Sequence, residues 1–147
     1  MSGRQPVRRD SVQRIRIAVT TVLMSMVLTA CGGSEPPRPK PDPVDRVDAS
    51  RFAAVAKERG TFLLNVHTPD EGSIPGTDAE IPYDQLSERA AELPTDRSTT
   101  IAIYCRSDRM SGLAIPTLRR LGYTNVTELA GGMKAWQADG RRLLPPH

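Results

Sequence analysis

One side chain in the sequence joins a nucleophilic atom to surroundings that would activate it. Cys105 ends the apolar run TTIAIYC, residues 99–105, and Arg106, Ser107, Asp108, Arg109, Met110 and Ser111 follow before a helical pattern begins. The thiolate is the reactive form of cysteine, and nearby cations and helix N-termini favour it. Arg106 and Arg109 supply the cations. A helix starting near Ser111 would add unpaired N–H groups and the positive end of its dipole. The same groups would hold an oxyanion or a negatively charged terminal sulfur. The chemistry that fits is covalent transfer through sulfur without a separate general base. His67 follows a different strand, and the sequence leaves open whether it reaches the site. The plainer alternative is a small buried hydrophobe beside solvated loop charges.

Thiol count bears on that choice. Cys31 and Cys105 are the only cysteines in the 147 residues. Residues 1–30 read as a secretory leader: the basic stretch RQPVRRDSVQRIR precedes the uncharged run IAVTTVLMSMVLTA. That run has 14 residues, short of the roughly 20 that a membrane-spanning helix needs. It ends in LTAC, Leu28 to Cys31, which resembles the lipobox of bacterial lipoproteins. The resemblance implies a lipid on Cys31 as the new N-terminus and a place on the extracytoplasmic face of a membrane. An ordinary leader cleaved nearby is the alternative. Arg8-Arg9 lacks the following apolar pair that twin-arginine export uses. Two or more acyl chains on Cys31 would anchor stably, where one is marginal. Cys105 would then have no disulfide partner, an oddity for an exported chain.

Residues 31–45 carry this cysteine and a linker. The segment GGSEPPRPKPDPV, 32–44, has five prolines and no apolar periodicity. Extended as polyproline II, at roughly 3.1 Å per residue, it would reach about 40 Å. The net charge of +3 belongs to the leader, which holds five arginines against one acid. Without it the chain has 15 basic and 16 acidic residues. No basic face survives to bind nucleic acid. Two histidines, His67 and His147, and one thiol do not make a four-ligand zinc site, so neither a metal nor a cofactor is expected.

The nucleophile must be held by the remaining elements, residues 46–147. Ser50 can cap a helix RFAAVAKER that Gly60 ends. FLLNVH, 62–67, has strand length and is followed by a loop rich in proline and glycine. Asp84 can cap a helix QLSERAAEL with Glu and Arg spaced to pair. TTIAIYC reads as a strand covered on both faces. A helix SGLAIPTLRRLG follows, with Gly122 as its stop and Pro116 removing one hydrogen bond or kinking it. NVTEL, 125–129, is another strand, and GGMKAWQADG a short helix with Met133 and Trp136 on one face. Such alternation predicts an α/β domain with a parallel sheet flanked by helices. Ligand sites in open sheets of this kind lie at the carboxyl ends of strands, where Cys105 stands.

These residues also carry a family resemblance. Cys105-Arg106-Ser107, then Gly122-Tyr123-Thr124-Asn125-Val126, then Gly131-Gly132-Met133 with Trp136, resemble the C-terminal half of a rhodanese domain in order and spacing. Ile74-Pro75-Gly76 and Ile81-Pro82 are similar to its first half, so the match spans roughly residues 48–142. The resemblance implies a single rhodanese-like domain acting as a sulfurtransferase. Cys105 would take the outer sulfur of a donor such as thiosulfate and pass it from a persulfide to a thiophilic acceptor. Loop amides from Arg106 to Ser111, with the hydroxyls of Ser107 and Ser111, would cradle that persulfide.

Three positions depart from the family pattern. Asn65-Val66-His67 stands where Asp-x-Arg is common, so a structural ion pair is lost or replaced by hydrogen bonds from Asn65 and His67. Asp108 replaces a loop glycine, and its charge partly opposes Arg109. Met110 replaces a second loop arginine, which leaves anionic donors a weaker grip. Two rivals remain. A cysteine phosphatase of related fold would need an arginine six residues after the cysteine, where this chain has Ser111. A non-catalytic persulfide or anion-binding module, carrying sulfur at the cell envelope, would have the same loop without turnover.

Overall fold

The structure, a computed structural model, describes residues 44–147. The expected leader over 1–30 and the lipidated Cys31 lie outside the described residues. Strands β1 (Asp45–Val47), β2 (Phe62–Asn65), β3 (Ala79–Glu80), β4 (Ile101–Tyr104) and β5 (Val126–Leu129) form one sheet in the order β1-β5-β4-β2-β3. Every pairing is parallel. Helices α1 (Ala49–Val55) and α3 (Gly132–Ala138) share one face, and α2 (Arg109–Arg120) covers the other.

The central strand shows why the sulfur lies where it does. All four residues of β4 are buried, as its unbroken β-branched and apolar composition requires. Side chains alternate along a strand. Ile101, Ile103 and then Cys105 therefore pack with Leu64, Leu118 and Ala114 on the α2 side. Ala102 and Tyr104 pack with Phe52, Met133 and Trp136 on the other. Each fully buried large side chain contributes on the order of 1.5–3 kcal/mol. Phe52 meets the rings of Tyr104 and Trp136 edge-on, with centroids 6.3 and 6.4 Å away.

Tyr104 also fixes the loop after β2. Its hydroxyl accepts from the Ile74 main-chain N–H at 2.9 Å and lies 2.6 Å from Thr77 Oγ1. Burial pushes its phenol up to about 12, which the bonds to Thr77 and Ile74 only partly offset. A neutral phenol thus bridges the strand that carries the nucleophile to the neighbouring loop.

Four local expectations need correction. Asp48, not Ser50, caps α1, accepting from the Arg51 N–H at 2.8 Å, and the helix ends at Val55 well before Gly60. The segment expected as the helix QLSERAAEL is a chain of turns ending in a 3-10 helix over Ala90–Glu92. Most of its main-chain bonds span three residues, such as Gln85 to Pro82 and Glu92 to Arg89. Short isolated helices are marginal in water, and here packing decides. Pro82 and Pro94 bound the segment, while Leu86 and Leu93 pin it to the core. The expected Glu–Arg pairing survives as Arg89 with Glu92, 2.6 Å apart. Strand β1 begins inside the stretch assigned to the linker, and β3 falls in a segment read as loop. Lastly, α2 starts at Arg109 rather than near Ser111 and runs through Pro116 to Arg120.

Candidate active site

The early start of α2 shortens the turn after β4 to Cys105–Asp108. Asp108 sits just before the helix at φ 72°, a left-handed geometry that aspartate tolerates better than most residues. Its carboxylate makes its bonds away from Arg109. One oxygen accepts from the Gly131 N–H at 2.5 Å, and the other pairs with Arg46 of β1. Charge-assisted bonds of this kind contribute about 1.5–3 kcal/mol, enough to offset the cost of the left-handed backbone.

The same junction grips the turn from behind. Met133 and Lys134, in the first turn of α3, donate their N–H groups to the carbonyls of Cys105 and Arg106 at 2.8 and 3.2 Å. This close approach explains the glycine pair. A Cβ at Gly132 would stand 2.3 Å from the Cys105 carbonyl oxygen and 2.6 Å from the Arg106 carbonyl carbon. The carbonyls are thereby spent on α3. Among the described residues, the main-chain N–H groups from Arg106 through Ser111 find no main-chain acceptor. They are the unpaired donors expected at a helix start.

Cys105 is 1% exposed, so the sulfur does not stand out on the surface. It instead walls a cavity of about 120 Å³ shared with His67, Arg106, Ser107, Arg109 and Met110. Those are the sequence-predicted loop residues together with the histidine of the neighbouring strand's end. Asp108 and Ser111 are the exceptions: Asp108 turns to Gly131 and Arg46, and Ser111 is buried beside the sulfur. Its Oγ lies 3.4 Å from Sγ and donates to Glu128 Oε1 at 2.6 Å. The Asp108 carbonyl lies 3.0 Å from the same Oγ, so two oxygen acceptors compete with the sulfur for its single hydrogen. A larger cavity of about 260 Å³ lies against Trp136, Ile74 and Ala53 and contains no thiol, so size does not single out the reactive site.

The two loop arginines differ in their neighbours. Arg106 pairs with Glu71, which also bonds His67. Arg109 has no hydrogen bond or ion pair among the described residues. A cation in the first turn of a helix opposes the macrodipole, so Arg109 is placed at a local cost. A bound anion at the cavity mouth would remove it. Met110, half-buried on the cavity wall, supplies no charge.

The Asn-x-His departure is filled by hydrogen bonds. Asn65 Oδ1 accepts from the His67 N–H at 3.0 Å, and its amide donates to the Gly72 carbonyl at 3.3 Å. His67 Nε2 lies 2.6 Å from Glu71 Oε2. Arg106, then His67, holds the Glu71 carboxyl below its ordinary range. Sequence reasoning missed Glu71, Glu128 and Arg46. Only Glu128 left a signal, as a carboxylate inside VTEL, a strand otherwise fit for burial.

Comparison with known proteins agrees with this geometry. The family described as rhodanese-like domain matches residues 52–139. A protein of Allochromatium vinosum named sulfurtransferase is 32% identical over 107 residues, covering 70% of this chain and 97% of that one. Thiosulfate sulfurtransferase PspE of Escherichia coli is 43% identical over 54 residues, which cover 37% of this chain and 51% of PspE. The crystal structure of a rhodanese-related protein from Thermoplasma volcanium superposes with a TM-score of 0.58 at 25% identity, covering 68% of this chain and 97% of that one.

Proposed function

This chain belongs to the rhodanese-like domain family, and on that premise we propose that it transfers sulfane sulfur from a donor such as thiosulfate through a Cys105 persulfide. The observation that carries the reading is the position of Cys105 Sγ on the wall of a small cavity rimmed by the uncompensated Arg109 and unpaired N–H groups. The Cys105 thiolate attacks the outer sulfur of thiosulfate. A bond forms from Sγ to that sulfur, and the sulfur–sulfur bond of the donor breaks, its electron pair leaving with sulfite. Arg109 grips the anionic end of the donor. The persulfide, Cys105–S–S⁻, rests against the loop amides as an oxyanion would. Attack by an acceptor on the outer sulfur then returns the thiolate.

A second reading, a sulfur store without turnover, draws on the 1% exposure of Cys105, which slows access from either side. Steady-state thiosulfate:cyanide assay separates the two. Sustained thiocyanate formation, abolished in Cys105→Ser, supports the transferase. A single stoichiometric release followed by silence supports the store. Phosphate-ester hydrolysis fits poorly, because the position six after the cysteine leads to the Glu128 carboxylate rather than to an arginine.

For its setting, we propose a membrane surface outside the cytoplasm, reached through lipid on Cys31 and the proline-rich linker. The mass of the mature N-terminal peptide tests this: a diacylglyceryl or triacyl adduct on Cys31 supports it, and an unmodified or differently cleaved peptide refutes it.

A further inference from the structure

His67 lies at the edge of the proposed chemistry but has no part in the thiosulfate half-reaction. Its side chain is 7% exposed and shares the cavity wall with Cys105. A carboxylate oxygen only accepts, so in the neutral ring the proton sits on Nε2, 2.6 Å from Glu71 Oε2. Nδ1 is then the basic nitrogen. It is buried and has no hydrogen-bond partner among the described residues. Buried polar atoms are nearly always satisfied, and an orphan next to a reactive cavity calls for an explanation. The arrangement of carboxylate, imidazole and sulfur site has the logic of an oriented base.

Neither thiosulfate nor cyanide, as an anion, has a proton to surrender at the reacting atom. A thiol does. We propose that His67 is a catalytic base at this site when the acceptor is a thiol, with Glu71 as its positioning residue. The inference rests on the persulfide reading above. In the step, Nδ1 takes the proton of R–SH, and the thiolate sulfur bonds to the outer sulfur of Cys105–S–S⁻. The bond from that sulfur to Sγ breaks, and its electron pair stays on Sγ. Imidazolium returns the proton to the terminal sulfur of the product. R–SH and Cys105–S–S⁻ thus become R–S–SH and Cys105–S⁻, with charge and protons balanced and no outside oxidant or reductant. The charged and titratable groups around the imidazole are Glu71 and Asp70 from its own loop, and Arg106, Arg109 and Cys105 from the facing one.

The test compares acceptors in the full-length protein and in His67→Gln, with thiosulfate as donor. The acceptors are cyanide, an alkyl thiol such as dithiothreitol, and an aryl thiol already ionised at the assay pH. The ratio of alkyl-thiol to cyanide kcat/KM should fall at least about tenfold in the variant, since positioned proton transfer contributes roughly 10²–10⁴. The aryl thiol, which needs no base, should fall no more than cyanide does. Glu71→Gln should show the same acceptor pattern in weaker form, and it carries the test if His67→Gln does not fold. Equal losses across all three acceptors would overturn the proposal and leave His67 a structural residue. No turnover with cyanide in the unaltered protein would instead sink the transferase reading beneath it.

Discussion

The cavity at Cys105 has two walls built on different plans. One is the turn 105–111, in which the Cys105 and Arg106 carbonyls and one Asp108 carboxylate oxygen are bonded to the β5–α3 junction, close against Gly132. The other is the loop His67–Glu71, held by Asn65, by the pairing of Glu71 with His67 and Arg106, and by Asp70 accepting from the Gly72 and His147 N–H groups. The first wall is overdetermined and, among the described residues, leaves its N–H groups and Arg109 without a partner, open to a ligand. The second keeps a buried nitrogen unsatisfied. Their difference suggests a division of labour: the tight wall fixes sulfur, and the looser wall selects what takes it away.

The comparison breaks most completely at the sulfur itself. Cys105→Ser should abolish thiosulfate:cyanide turnover while the melting temperature shifts by no more than a few degrees, because the replaced atom is small and walls a cavity. Retained turnover in that variant would remove the tight wall from the chemistry. Next is the contact that tightens it. Gly132→Ala should destabilise the fold by about 2 kcal/mol or more and disorder the turn, since the new Cβ meets main-chain atoms that have nowhere to move. Thermal unfolding measures it, and a neutral effect would show that the junction is looser than described.

The arginines sharpen the contrast at smaller scale. Arg109→Ala should raise the donor KM about tenfold, roughly 1.4 kcal/mol of lost anion binding, with little change in melting temperature. Arg106→Ala should raise it less, because Glu71 already neutralises that guanidinium. Equal effects would mean the ion pair opens on binding. The smallest effect is in pH. Glu71 titrates below its ordinary range, with Arg106 as the first cause and His67 the second. Its contribution to stability is therefore present above the usual glutamate range and is lost as pH falls through the depressed value. The stability gap between the unaltered protein and Glu71→Gln should be widest near neutrality and close in acid. The pair is exposed, so the gap is small.

Much of the tight wall was legible in the sequence. An uninterrupted β-branched run marked β4, and the cluster of Cys105, Arg106, Ser107 and Arg109 marked the turn. The Gly131-Gly132-Met133 motif was visible, but its reason, the approach of α3 to the Cys105 carbonyl, is a contact across 27 residues that spacing cannot show. Long-range partners were likewise hidden: Asp108 reaches Gly131 and Arg46, and Ser111 reaches Glu128. The looser wall was the least legible. Whether His67 met Cys105 depended on β2 pairing beside β4, a matter of sheet order rather than local pattern. The 85–93 segment failed for the opposite reason, since its helical pattern was real but two buried leucines and flanking prolines overrode it.

The central claim is that Cys105 accepts a sulfur atom despite its burial, and mass spectrometry of the intact mature protein after incubation with thiosulfate tests it most directly. The account predicts a gain of about 32 Da, one sulfur, that maps to the Cys105 peptide and disappears on adding cyanide. An unchanged mass, or an adduct elsewhere in the chain, would contradict it.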